Sequence, residues 1–276
     1  MAQPYPSGVV RLPAYARCVS ERRIIVRRPS EVLADGELTH LDRTPVDADL
    51  ALRQWEAYLD AFRGAGWSIV ELDPLPSHPD GVFVEDAVVV VGDLAVVTRP
   101  GAESRRGETD GLAQRLGDLG FEVAAIEAPG TLDGGDVLKV GSTAYVGRSA
   151  RTNDDGIEQF RSLLAERGVG VVTVSVTAAL HLKSCLTALP DGTIVGFEPL
   201  VDEPGSFDRL LLAPEESGAH VVDLGDGRVL LAASCPSTAV LLRDRGYAVT
   251  TVDIGEFEKL EGCVTCLSVR LHDGID

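Results

Sequence analysis

Apolar residues recur along this chain in two rhythms, one of about 3.6 residues and one of 2, the periods of a helix face and a strand face. An amphipathic helix, a turn with Gly and a β-rich run follow one another in LALRQWEAYLDAFRGAGWSIVEL, DGLAQRLGDLGFEVAAI, GIEQFRSLLAERGVGVVTVSV and STAVLLRDRGYAVTTVDI. In the first, Leu52, Trp55, Leu59 and Phe62 fall at helical spacing, and Gly64 and Gly66 supply a stop before Ile69 and Val70. Ile157, Phe160, Leu163 and Leu164 repeat the stripe, with Gly168 as its stop. Each copy predicts a helix returning into a strand.

Two short β-rich runs joined by a turn precede helices in FVEDAVVVVGDLAVVTRP, LDGGDVLKVGSTAYVGRS and HLKSCLTALPDGTIVGFE, with Gly92-Asp93, Gly141-Ser142 and Asp191-Gly192 as the turn dipeptides. The unit is thus strand, strand, helix, strand. Asp86, Asp133 and His181 lie 47 and 48 residues apart, a period expected of a radial or stacked array. One unit starts near Cys18 with RRIIVRRP and ends at the Leu72 strand. The last runs from VLLAASCP near Val229 and is completed by CVTCLSVRL. Five units would close a ring of α/β class, the termini meeting inside one blade, as a single domain over residues 1–276 with residues 1–15 as a less ordered arm. In such a ring Glu85 and Asp86, Asp133 and His181 stand at equivalent strand starts and point into one cavity. Charges buried there need partners.

The 45% hydrophobic and 25% charged content describes a soluble globular protein with a packed core. A formal charge of −18 disfavours nucleic acid and anionic membranes and suits a cationic small substrate. There is no run of 18 apolar residues, and Met1 to Ser20 has no apolar signal segment. Five scattered cysteines, Cys18, Cys185, Cys235, Cys263 and Cys266, do not make a disulfide framework and place the chain in a reducing cytoplasm. A homodimer is left open.

Among five histidines, only His181 occupies a repeat-equivalent strand start. Cys266 lies in EGCVTCLSVRL, read as strand, where alternation puts it on one face with Ser268. Cys263 and Cys266 form a CxxC, but a single pair in a strand is a weak metal signal, and a redox pair is expected to open a helix. Cys185 and Cys263 read as packing residues; by pattern alone packing competes for Cys266 as well. A thiolate nucleophile needs an acid/base partner and a group to orient that partner. His181 and Asp133 can fill those roles. Asp80, Glu85 and Asp86 would make the cavity negative, which raises a thiol pKa until a cation arrives. A guanidinium suits paired carboxylates because they accept its planar N–H donors in bidentate fashion.

At PDGVFVEDAVVV (79–90), TRPGAESRR (98–106), LDGGDVL (132–138), ARTN (150–153), LHLKS (180–184) and VTCLS (264–268) the sequence resembles the pentein superfamily of guanidine-modifying enzymes, most closely the dimethylargininases. The resemblance implies a five-bladed αβ propeller that hydrolyses N-methylated arginine to citrulline without metal or cofactor. By that resemblance Cys266 matches the nucleophile, His181 the acid/base and Asp133 its orienting carboxylate. Glu85 and Asp86 match guanidinium-binding carboxylates, Asp80 a neighbouring contact, and Arg105 and Arg151 the holders of the substrate α-carboxylate. The Leu260 carbonyl matches a receiver of the α-ammonium and Leu38 a lid residue. The related arginine deiminases carry an acidic residue two places after the His; here that place is Lys183, which disfavours free arginine. Arginine deiminase and amidinotransferase are the competing enzyme readings. A non-catalytic ribosome-binding role is opposed by the charge of −18.

Overall fold

All four predicted helix-to-strand returns are present in the computed structural model, which describes residues 22–271. The arm at residues 1–15, Cys18 and His272 lie outside the described residues. β1 (Arg23–Val26) pairs parallel with β2 (Ser68–Glu71), the two joined through α1 (Ala48–Gly64). β3 (Val88–Val91) and β4 (Leu94–Val97) form an antiparallel hairpin, and α2 (Leu112–Asp118) returns the chain to β5 (Glu122–Ala125), parallel to β4. The plan recurs in β6 (Val137–Val140), β7 (Thr143–Arg148), α3 (Asp154–Ala165) and β8 (Gly170–Ser175).

The next unit opens with a single helical turn, α4 (Leu182–Cys185), ahead of β9 (Leu186–Ala188), β10 (Ile194–Gly196) and β11 (Leu210–Leu212). Its strands are joined by two 3-10 turns, Glu198–Leu200 and Pro204–Ser206, where the repeat predicted an α-helix. Pro199, Pro204 and Gly205 account for this, since the prolines lack an N–H and the glycine weakens a helix interior. β12 (Val222–Gly225), β13 (Arg228–Ala232), α5 (Pro236–Asp244) and β14 (Ala248–Val252) complete the fourth sheet. β15 (Val269–Leu271) pairs antiparallel with β1 and closes the fifth.

The result is the expected five-bladed αβ propeller. Its last blade is composed differently from the expectation: CVTCLSVRL completes the sheet of β1 and β2 and takes no part in that of β13. The strand is also shorter than predicted, because residues 264–267 form a turn and pairing begins only at Val269.

Burial explains why α1 is the longest helix. Trp55, Tyr58, Leu59 and Phe62 are each at most 1% exposed and share a core with Val222, Leu224, Val229 and Leu231 of the fourth sheet. Each such side chain contributes about 1.5–3 kcal/mol on burial. Asp47 caps the helix through the Leu50 N–H, and Asn153 caps α3 through the Gly156 N–H.

The first strands of three units start at Val88, Val137 and Leu186. Measured from those starts, Asp86, Asp133 and His181 stand two, four and five residues upstream, so they are not register-equivalent as the sequence period suggested. They converge because short 3-10 and α turns, Val84–Asp86, Gly134–Asp136 and Leu182–Cys185, lead into neighbouring first strands, the middle turn touching the other two.

Candidate active site

The GGD turn is built of glycines because nothing larger fits. A Cβ on Gly134 would collide with the Glu85 carbonyl oxygen; one on Gly135 would lie 2.6 Å from His181 Nδ1 and 2.7 Å from Asp86 Oδ1. The Gly135 N–H donates to Asp86 Oδ1 at 3.0 Å. Asp136 is fully buried and fixes the chain just after the histidine. Its Oδ1 accepts the Leu182 N–H at 2.9 Å and its Oδ2 the Ser149 hydroxyl at 2.6 Å. Burial pushes its carboxyl up to about 6.

His181 Nε2 donates to Asp133 Oδ2 at 3.0 Å, and Asp133 Oδ1 accepts the Gly101 N–H at 2.8 Å. His181 Nδ1 faces Asp86 Oδ1 at 3.8 Å, too far for a hydrogen bond, which leaves that nitrogen for proton transfer. Burial pulls the imidazole pKa down, but Asp86, the Asp133 hydrogen bond and Asp136 outweigh it and raise it to about 9. Near neutrality the ring is an imidazolium, a proton donor.

Cys266 is presented by a turn that α1 holds from behind. Tyr58 Oη donates to the Val264 carbonyl at 2.9 Å and meets Ser268 Oγ at 2.7 Å, while the Glu85 N–H donates to the Cys266 carbonyl at 3.3 Å. The hydrogen bond with Cys263 and burial raise the Cys266 thiol well above its usual range, with Cys263, Glu85 and Asp86 adding to this. A positive ligand among those carboxylates reverses the effect.

Burial works against the Asp86 charge, yet His181, Arg105 and Lys183 outweigh it and hold its carboxyl below the usual range. Arg105 gives Nε–H and one Nη2–H to Glu108 in a fork, at 3.0 and 2.8 Å. Its Nη1 donates to Asp86 Oδ2 at 2.8 Å and its Nη2 to the Asp80 carbonyl at 3.4 Å, so one Nη1 donor is left over. Lys183 Nζ lies 2.6 Å from Glu85 Oε1, and Glu85 Oε2 is buried without a partner. Burial raises the Glu85 carboxyl despite that lysine.

Of the ten candidate residues, Asp80, Asp86, Arg105, Arg151, His181, Leu260 and Cys266 line one narrow cavity of about 20 Å³. Asp133 and Glu85 stand behind its wall. Leu38 packs half-buried against the core beside α1; its neighbour Glu37 lines the cavity instead. Arg106 points away, bonded to Glu103 and the Pro100 carbonyl, so Arg105 is the cavity member of that pair.

Three partners were not foreseen. Glu108 neutralises Arg105 and could have been noticed as an acid at helical i+3 spacing. Asp136 is the last residue of the GGD turn. Glu37 accepts from Arg151 Nη2 at 3.2 Å and from Ser104 Oγ at 2.6 Å, placing a carboxylate on the arginine expected to hold a substrate carboxylate.

Asp86, Asp133 and His181 also offer ligand atoms within 4.8 Å of one another, the donor types of a metal site. His181 Nε2 is bonded to Asp133, and Asp86 to Arg105 and Gly135, so the set reads as a balanced ion cluster. No described helix is long and apolar enough to cross a membrane.

The profile of a family described as "N,N dimethylarginine dimethylhydrolase, eukaryotic" matches residues 42–226 of this chain. A Streptomyces coelicolor protein named N(G),N(G)-dimethylarginine dimethylaminohydrolase is 57% identical over 92% of this chain and 99% of its own length. The fold superposes on a Pseudomonas aeruginosa dimethylarginine dimethylaminohydrolase, a cysteine-to-serine variant complexed with citrulline. That match has a TM-score of 0.84 and 36% identity, covering 90% of this chain and 98% of the other. A histidine-to-glycine dimethylarginine dimethylaminohydrolase carrying an S-methyl-L-thiocitrulline adduct also aligns at TM-score 0.84, with 35% identity over 92% of this chain and 100% of the other.

Proposed function

The chain belongs to the dimethylarginine dimethylaminohydrolase family, and from that premise we propose that its propeller is one catalytic domain in which Cys266, His181 and Asp133 carry the reaction. The reaction is hydrolysis of N-methylated arginine to citrulline and dimethylamine or methylamine. The observation that supports these roles most is that Cys266 and an imidazolium clamped between Asp133 and Asp86 share one small, carboxylate-rich cavity.

The guanidinium docks against Asp86 with Asp80 beside it, and the unpartnered Oε2 of Glu85 adds negative charge from behind the wall. Arg151 exchanges Glu37 for the substrate α-carboxylate, and Arg105 adds its remaining Nη1 donor. The Leu260 carbonyl receives the α-ammonium, and the segment around Leu38 covers the site. The arriving positive charge lowers the Cys266 pKa, and the thiolate adds to the guanidinium carbon. His181 passes a proton from Nδ1 to the departing amine, leaving an S-alkylthiouronium on Cys266. Neutral His181 then takes a proton from water, whose attack releases citrulline and the thiol. Lys183, seated on Glu85, places a cation where a second carboxylate would grip an unsubstituted guanidinium nitrogen, which favours methylated over free arginine.

Cys266→Ala is expected to abolish citrulline production from dimethylarginine; retained production refutes the covalent scheme. Running arginine, monomethylarginine and both dimethylarginines side by side ranks the substrates.

A further inference from the structure

We propose that Cys263 is a redox partner of Cys266, the two closing an intramolecular disulfide when a hydroperoxide enters the cavity. Cys263 Sγ lies 3.2 Å from Cys266 Sγ. Both belong to one tight turn closed by the Cys266 N–H donating to the Cys263 carbonyl at 3.2 Å. A turn so closed keeps its end Cα atoms within about 7 Å, the separation that a disulfide spans without moving the backbone. The residue types here favour a strand, which would separate the sulfurs. The turn removes that objection.

The accessibility is asymmetric in a way that suits two successive steps. Cys266 is partly exposed on the cavity wall, whereas Cys263 is buried behind it. The hydrogen bond with Cys266 holds the Cys263 thiol well below its usual range against the cost of burial, with His220 and Thr265 adding to it. Cys185 and Cys235 are buried elsewhere, and burial pushes their thiols up to about 12. They donate to carbonyls of their own turns and have no sulfur neighbour among the described residues. Access selects the sulfur that meets the peroxide, and Cys266 is the cysteine on the cavity wall.

The chemistry balances with a hydroperoxide as oxidant. Cys266 sulfur attacks the outer peroxide oxygen, the O–O bond breaks, and an alcohol leaves with the proton, giving a sulfenic acid. Cys263 sulfur then attacks the sulfenic sulfur, its proton leaves with the hydroxyl as water, and the S–S bond forms. The two thiols are oxidised by two electrons and the peroxide is reduced by two. A dithiol reductant reverses the second bond.

That this bond silences turnover rests on the proposed role of Cys266; the bond itself does not. Both cysteines fall in one tryptic peptide, Leu260–Arg270, so one mass reads the outcome. Full-length wild-type protein treated with hydrogen peroxide and then alkylated is expected to yield that peptide two hydrogens lighter and unalkylated. Citrulline production should be lost and should return with dithiothreitol. Cys263→Ser and Cys263→Ala are expected to make citrulline before treatment. Under peroxide they should carry Cys266 to the sulfinic acid and stay inactive after dithiothreitol. A wild-type peptide with oxygenated Cys266 and alkylated Cys263, or Cys263 variants that recover with dithiothreitol as fully as wild type, overturns the proposal. Untreated protein that makes no citrulline would instead overturn the functional reading, and the peptide mass would still decide the disulfide.

Discussion

Gly135→Ala tests the cradle beneath the imidazole without replacing any proposed reacting group. The added Cβ would lie 2.6 Å from His181 Nδ1, 2.7 Å from His181 Cγ and 2.7 Å from Asp86 Oδ1. Ordinary contact begins near 3.4 Å, so the ring and the carboxylate must move by roughly 0.8 Å, and a displacement of about 1 Å can cost on the order of 100-fold in rate. The Gly135 N–H bond to Asp86 would loosen with them. Steady-state citrulline formation from asymmetric dimethylarginine should therefore show kcat reduced roughly 100-fold, with the thermal unfolding transition still cooperative. Gly117→Ala in α2 is the control, because its added Cβ meets nothing within 4 Å; it should keep wild-type kcat and gain up to about 1 kcal/mol of helix stability. Wild-type kcat and KM in Gly135→Ala would refute the claim that this glycine sets the histidine.

His181 gives a linkage prediction. Its pKa is about 9 in the fold against 6.5 as reference, so its stabilisation is complete below pH 6.5 and is lost as pH rises through 9. At about 1.4 kcal/mol per unit this is about 3 kcal/mol. Urea unfolding at pH 6 and pH 10 should show wild type losing about that much more than His181→Gln; parallel losses would contradict the raised pKa. Lys183→Met leaves Glu85 buried without its cation, a loss on the order of 3–5 kcal/mol for a broken buried pair. Adding Glu85→Gln should recover much of it in a double-mutant cycle, and strictly additive effects would show that the pair is not coupled.

Local periodicity carried most of the fold. The stripes ending in Phe62 and Leu164 are helices because their apolar faces have a sheet to cover, and sequence spacing alone reveals that. What failed needed either chain stiffness or distant contacts. The third blade lost its helix to Pro199 and Pro204, whose stiffness the repeat spacing does not show. The residue types of VTCL favour a strand and no Gly or Pro lies within it to mark the turn; its shape is imposed by Tyr58, about two hundred residues away in sequence. Asp86, Asp133 and His181 lack the shared register that their spacing suggests, yet they converge because three different turns deliver them. The Arg105–Asp86 and Glu37–Arg151 pairs depend on which loops meet, and no local pattern encodes that.

The most direct test of the covalent scheme is a rapid-quench digest of the wild-type protein during turnover of asymmetric dimethylarginine, reading the Leu260–Arg270 peptide. The expected result is a mass gain equal to substrate less dimethylamine, placed on Cys266 by fragmentation. Citrulline accumulating with no such adduct, or an adduct on Cys263, would contradict it.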